Sequence, residues 1–345
     1  MSRSTSFVNS LLPGTTTELG MRYFCTYFDR NYLVRGLTLY RSLLKHAAPF
    51  TMWVLCFDDF TYTVLCNLNQ PNLKPIRLSV FENEDIALLN AKKNRSTVEY
   101  YFTCSPSLLL YILNNWPEVD VLSYLDADLF FYSSPDPIYQ EFGDASILII
   151  PHRHPAEAQH LEKSFGIYNV GLLTFRNDQY GLECLQWWRE RCLEWCYDRI
   201  EDGRFADQKY LDDWPTRFQR VVVLQHKGAN LAPWNWMNYK IEMRNGSATV
   251  DGQPLIFYHF HGLKVLSKRL YDIASAGEYQ PMPGSLKHSL YPGYMRELKT
   301  TERWVRQWVS EAVIGHSSIR TGAYGLRGLV RKLLSGEVMI DYSLR

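Results

Sequence analysis

Short apolar runs alternate along this chain with stretches in which apolar side chains recur at every third or fourth position, the pattern of buried strands interleaved with amphipathic helices. Arg22-Tyr23-Phe24-Cys25-Thr26-Tyr27-Phe28 reads as a first strand, Asp29-Arg30-Asn31-Tyr32 as a polar turn, and 33–46 as a helix carrying Leu37, Tyr40 and Leu44 on one face. A second strand over 52–57 ends in Asp58-Asp59, and 78–89 continues the alternation. The Ser-Pro step predicts a helix over 105–113 with Pro106 at its first position. Further strands are expected over 121–125, over 146–150 before Pro151-His152-Arg153-His154, and over 172–175 after Tyr168-Asn169-Val170-Gly171. A long Trp-bearing helix over 182–200, a short helix over 205–211, a strand over 221–224 and a last strand over 255–262 complete the pattern. Strand, helix, strand at this spacing predicts an α/β fold. No repeat or low-complexity linker divides it, so one domain over 21–300 is expected, after a mobile leader over 1–20 and before a helical extension over 301–345.

Composition changes this picture little. Lys+Arg 37 against Asp+Glu 36 gives a net charge of +1, so no basic field argues for nucleic acid. An aromatic content of 14% is compatible with stacking on sugars or a base, though packing accounts for most of it. The 7 cysteines form neither a Cys-x-x-Cys pair nor a disulfide framework, which suits a reducing compartment. Signal-peptide features and any run near the length of a spanning helix are missing, so the expectation is a cytoplasmic protein, with peripheral contact at the inner face of a membrane as an addition. That addition rests on Leu326, Leu329, Val330, Leu333 and Leu334, spaced as one helix face beside Arg327, Arg331 and Lys332. Such a helix suits an anionic membrane surface or docking on its own domain or a partner subunit.

The candidate chemistry lies at Val121-Leu122-Ser123-Tyr124-Leu125-Asp126-Ala127-Asp128. If the apolar residues form a buried strand, Asp126 and Asp128 emerge at its carboxyl end, where open α/β sheets bind ligands. Two hard oxygen ligands there suit Mg²⁺ or Mn²⁺ carrying a diphosphate. The spacing alone is weak, since roughly one Asp-x-Asp is expected by accident in a chain of this length. Neither a G-x-G-x-x-G turn nor a P-loop is present, so side chains and metal, more than bare backbone, would grip a nucleotide. His259 and His261 share a strand face just before Gly262.

Taken together over about 22–264, these motifs and their order resemble a GT-A fold glycosyltransferase, most of all glycosyltransferase family 8 and its nucleotide-diphospho-sugar transferase relatives. The resemblance implies a GT-A type, Rossmann-like mixed sheet flanked by helices, a single catalytic domain with a helical, basic amphipathic C-terminal extension. It makes Asp126-Ala127-Asp128 the motif that binds Mn²⁺ or Mg²⁺ and the donor diphosphate. His259, within His259-Phe260-His261-Gly262, becomes the third metal ligand, with His261 as the alternative or as a diphosphate contact. Asp29, Asn31 and Tyr32 match the turn that holds uracil and ribose, and Tyr27 the position lining the base; an Asx turn alone also explains Asp29 and Asn31. Asn169 faces the sugars, Asp207 holds donor hydroxyls and Gln208 lies beside the anomeric carbon.

Two departures stand out. The family's Lys-Pro-Trp is missing, leaving Lys264, one residue early, as the diphosphate clamp. The basic residue usual before the acidic motif is replaced by Thr103-Cys104-Ser105-Pro106, with Arg95 and Arg153 as candidate substitutes. His152-Arg153-His154 and Trp234-Asn235 have no family match and are candidates for the acceptor side. The expected activity is transfer of a sugar, with retention, from a UDP-sugar to a glycan or glycolipid hydroxyl in surface polysaccharide synthesis. Two alternatives stay open, a sugar-1-phosphate nucleotidyltransferase and a non-catalytic nucleotide- or sugar-binding protein.

Overall fold

Seven of the apolar runs pair into one sheet; the central runs bury both faces while the edge runs 73–77 and 221–223 stay partly exposed, and their backbones are satisfied by neighbouring strands. The structure, a computed structural model, describes residues 20–47, 49–83, 85–244, 247–273, 282–309 and 325–341. The expected leader lies outside the described residues apart from Gly20. In chain order the strands are β1 (Arg22–Phe28), β2 (Phe50–Cys56), β3 (Leu73–Arg77), β4 (Val121–Leu125), β5 (Leu129–Phe131), β6 (Ile147–Pro151), β7 (Tyr168–Arg176) and β8 (Val221–Val223). The large sheet runs β3-β2-β1-β4-β7-β6-β8. Within it only β7 is antiparallel to its neighbours. This is the Rossmann-like mixed sheet flanked by helices that the GT-A resemblance implies.

The reversal of β7 positions chemistry. Its first residues pair with the carboxyl ends of the strands on either side, Leu172 with Leu125 of β4, and Asn169 with Ile150 of β6. Asn169 and Gly171 therefore arrive at the same edge as the acidic turn after β4. Successive residues point to opposite faces, so Phe24, Val54 and Ile150 pack with Leu37 and Leu43 of the first helix, Leu33–His46. Cys25, Leu55, Tyr124 and Leu173 pack on the other face against Leu108, Ile112 and Trp188.

Smaller strands follow: a meander of β9 (Ile241–Arg244), β10 (Ser247–Val250) and β11 (Gln253–Pro254), then β12 (Phe257–His259), which pairs with β5 and bridges to Leu231, and the group β13 (Lys264–Val265), β14 (Leu270–Asp272) and β15 (Val338–Ile340).

Several elements differ from expectation for physical reasons. The helix expected over 105–113 spans Thr97–Asn115, because Ser96 and Glu99 form a reciprocal capping box that starts it earlier and leaves Pro106 in its interior. The stretch 78–89 splits into helices Leu78–Asn83 and Ile86–Lys92, the second capped by the Asp85 side chain. The Trp-bearing helix is Gln179–Glu194, started by Asp178 accepting from the Gly181 N–H. Asn169-Val170-Gly171 lies inside β7 rather than before it.

The helix Gly284–Arg306 packs on the first helix, with Thr38 donating to Thr301 at 3.0 Å in a buried contact, so the division placed at 300 falls inside one helix. The C-terminal amphipathic helix spans Leu326–Leu334. Leu329 and Leu333 pack over Leu266 and Val338, and Lys332 reaches the fully buried Asp272 at 2.8 Å, so it docks on its own domain. Val330 and Leu334 remain exposed. All seven cysteines are free. Among the described residues, no helix is long and apolar enough to cross a membrane.

Candidate active site

The acidic motif occupies the turn between β4 and β5. Its backbone is fixed from two sides: the Asp126 N–H donates to the Gly171 carbonyl at 2.9 Å, and the Leu129 N–H to the Asp126 carbonyl at 3.2 Å. β5 then pairs with β12, setting Leu129 opposite His259, while the Phe260 N–H donates to the Asp128 carbonyl at 3.0 Å. This short ladder brings together residues distant in sequence. His259 Nε2 lies 3.1 Å from Asp128 Oδ1 and 3.7 Å from Asp126 Oδ2. His261 joins Asp128 and His259 in a group whose ligand atoms all lie within 4.8 Å of one another. One carboxylate and two imidazoles thus lie close enough to share a divalent cation, with the Asp126 carboxylate beside His259 as a further oxygen donor.

Electrostatics shows how tightly this cluster is bound together. Burial pushes the Asp126 carboxyl up to about 6 against the pull of His259, with the Asp128 charge adding to the rise. Asp128 is also disfavoured by burial, but the His259 charge and hydrogen bond outweigh that and hold it down at about 2. His259 is raised, burial being overcome by the two carboxylates. Asp126 is further oriented by the Tyr124 hydroxyl, which donates to Oδ1 at 2.8 Å. That contact follows from strand parity, since residues two apart share a face.

Behind the cluster, β7 supplies a polar relay. His152 Nδ1 contacts the Ile167 carbonyl at 3.3 Å and its Nε2 faces the Asn169 amide at 3.4 Å, consistent with Nδ1–H donating and Nε2 accepting. The Asn169 side-chain oxygen Oδ1 in turn accepts from the Gly171 N–H at 3.0 Å. Burial and His154 hold His152 down at about 3, so it stays neutral. A Cβ at residue 171 would collide with Asn169 Oδ1 and come within 3.0 Å of the His259 ring. Gly171→Ala should therefore tilt His259 and weaken Mn²⁺ binding about 10–100-fold, with a stability loss of about 1–3 kcal/mol. Titration with Mn²⁺ checks this; an unchanged affinity would mean that the imidazole is not a ligand.

The residues matched to nucleoside binding form one wall. Asp29 Oδ1 accepts from the N–H groups of Asn31 (2.9 Å) and Tyr32 (3.2 Å), and Oδ2 from Asn31 Nδ2 (2.8 Å) and the Tyr101 hydroxyl (3.3 Å). Tyr101 stacks on Phe57 at 3.9 Å, and Tyr27 stands edge-on to Phe57 at 5.3 Å. Tyr101 and Phe57 were not among the expected site residues; they come from other elements and gave no local signal. Deeper in, Asp207, only 3% exposed, accepts from Ser105 Oγ at 2.9 Å, and Ser105 lies 3.2 Å from the Tyr27 hydroxyl. Burial pushes Asp207 up to about 7; the Ser105 hydrogen bond pulls down and Asp126 pushes up. Gln208 Nε2 donates to the Phe165 carbonyl at 2.8 Å.

Neither basic substitute expected from the sequence reaches this site. Arg95 lies over the Tyr197 ring and donates to the carbonyls of Cys192 and Leu193. Arg153 adopts a left-handed backbone (φ 57°) and turns inward to the carbonyls of Ala229, Leu224 and His226. The same kink stacks His152 and His154 at 4.9 Å. The His152 carbonyl accepts from Trp234 Nε1 and Asn235 Nδ2, each at 2.9 Å, and Trp234 stands edge-on to His259 at 5.1 Å. The two motifs without a family match thus form one layer beside His259. Gly262 takes a left-handed turn (φ 71°) that leads into Lys264 at the start of β13.

The mixed sheet and the carboxylate–imidazole turn at its edge form the arrangement that the GT-A resemblance implies. No protein-family model matches the chain. It is 35% identical over 251 residues to the uncharacterized protein YfnF of Bacillus subtilis (strain 168), covering 71% of this chain and 82% of that one. It is 30% identical over 285 residues to YfnD of the same organism, covering 82% and 89%. The chain belongs to the family of these two proteins. Among solved structures it is similar to the galactosyltransferase LgtC in complex with donor and acceptor sugar analogs (16% identity, 77% of this chain, 99% of that one, TM-score 0.48) and to mouse xyloside xylosyltransferase 1 (13%, 70%, 98%, 0.46).

Proposed function

We propose that this protein is a metal-dependent glycosyltransferase that moves a sugar from a UDP-sugar to the hydroxyl of a glycan or glycolipid acceptor with retention of configuration. The observation that carries this reading is the convergence of Asp126, Asp128 and His259, with the imidazole Nε2 at 3.1 and 3.7 Å from the carboxylates. These three would hold Mn²⁺ or Mg²⁺. When bound, the ion supplies Lewis-acid charge to the diphosphate. Tyr27, Asp29, Asn31 and Tyr32 would hold the nucleoside, Asp207 the sugar hydroxyls, and Lys264 the diphosphate. With its Nε2 held by Phe165, Gln208 offers its amide oxygen to an oxocarbenium-like sugar; an amide is a poor nucleophile, which favours attack from the leaving-group side. The acceptor oxygen bonds to the anomeric carbon, the bond to the β-phosphate oxygen breaks with its electron pair on that oxygen, and the acceptor proton passes to it.

The nucleotidyltransferase alternative is disfavoured by the turn after β1. It contains no glycine, and the Asn31 and Tyr32 N–H groups that would cradle a phosphate are already taken by Asp29. Incubation with a panel of UDP-sugars in Mn²⁺ and in EDTA tests the proposal. Release of UDP from one donor in Mn²⁺ alone is expected. UDP binding without turnover of any donor would point to a binding protein, and consumption of UTP with a sugar 1-phosphate to the nucleotidyltransferase.

A further inference from the structure

With Arg95 and Arg153 facing inward, Lys264 is left to meet a bound diphosphate, and one ammonium does not balance its charge. Two carboxylates already cancel a divalent cation, so the phosphates of a nucleoside diphosphate need at least one further positive group. The first helix supplies one. Arg35 follows the Asp29–Tyr32 turn closely enough that its guanidinium lies over the Tyr32 ring, 4.3 Å from the centroid. From there Nη2 donates to the Leu263 carbonyl at 2.8 Å, which ties the nucleoside wall to the segment between Gly262 and Lys264. Its charge is felt at Asp128, which it helps keep ionised. Arg35 is only partly buried. One carbonyl accepts from Nη2, and a guanidinium carries five N–H donors, so the fork can engage a second acceptor bidentately.

We propose that Arg35 binds the diphosphate of the nucleotide, bridging the base-holding turn and the metal ligands, and neutralises the diphosphate as it leaves. This rests on the glycosyltransferase reading above. It also assigns a place to the cation that the chain does not carry before its acidic motif: Ser105 there is spent on Asp207, and the positive charge comes instead from the first helix. Arginine suits this position better than lysine, because its planar fork can bind Leu263 and a phosphate together while resting on an aromatic ring.

Calorimetry of UDP and UMP with Mn²⁺ present, on wild type, Arg35→Lys and Arg35→Met, tests the assignment; the methionine keeps an apolar stem over Tyr32. Arg35→Met should weaken UDP about thirtyfold and UMP less than about threefold, with lysine between. Mn²⁺ binding without nucleotide, followed by electron paramagnetic resonance, should be unchanged or tighter, because a positive charge that repels the cation has gone. Equal weakening of UDP and UMP together with weaker Mn²⁺ binding would make Arg35 a packing residue and overturn the proposal, as would unchanged UDP affinity. Failure of the wild type to bind UDP with Mn²⁺ is a separate result that sinks the donor reading and this assignment with it.

Discussion

Asp128→Ala is expected to lower sugar transfer about a thousandfold at saturating donor, equivalent to about 4 kcal/mol of transition-state stabilisation. Asp128 is 8% exposed, and its Oδ1 is the oxygen nearest to His259 Nε2. The β5–β12 ladder and the Phe260 N–H on the Asp128 carbonyl fix both residues from the backbone. The loss should fall on kcat as well as on Mn²⁺ affinity, since the charge that the ion brings matters most when the diphosphate departs. Thermal melting in EDTA should also fall, because the substitution takes away the carboxylate paired with buried His259, so activity is read well below the melting range of the variant. A variant that keeps more than about a tenth of wild-type kcat would show that the carboxylate does not serve the chemistry.

Asp207→Asn should produce the second large effect, about a hundredfold in kcat, and an opposite change in stability. The folded protein holds the Asp207 proton up to about pH 7, whereas an ordinary carboxyl at 3.8 has released it. Between those values the folded state binds more protons than the unfolded chain, so stability contributed by the protonated group is complete below pH 3.8 and is lost as pH rises through 7. Asparagine never carries the charge. The variant, measured without metal, should therefore gain on wild type between pH 5 and pH 8, by on the order of 2–4 kcal/mol. Asp126 titrates in part of the same window but is common to both proteins. Denaturant midpoints at the two pH values provide the check. Parallel curves would mean that Asp207 is ionised throughout and not buried as described.

The first effect traces to a residue that the chain advertises locally, the second to one that only the family resemblance singled out. The acidic turn is legible because Val121–Leu125 is a buried strand whose end must carry polar residues, and the Asp29 turn because Asx chemistry and the following helix have short-range signatures. The first helix, Leu33–His46, is legible from its periodicity alone. Ser105, Tyr101 and Arg35 are not legible in this way. Each acts through a contact made by tertiary packing: Ser105 under Asp207, Tyr101 stacked on Phe57, Arg35 on the Leu263 carbonyl. Arg153 shows the converse, since a basic residue between two histidines suggests a ligand site, yet its left-handed backbone sends the guanidinium inward. Pro106 similarly reads as a helix start, but the capping box ten residues earlier decides where the helix begins.

The most direct test of the account is pulsed electron paramagnetic resonance of Mn²⁺ bound with UDP. The Asp126–Asp128–His259 cluster predicts a nitrogen coupling from imidazole that disappears in His259→Ala while Mn²⁺ binding weakens. A Mn²⁺–UDP complex without nitrogen coupling, or one unchanged by that substitution, would contradict the joint grip of turn and strand on which the proposed activity depends.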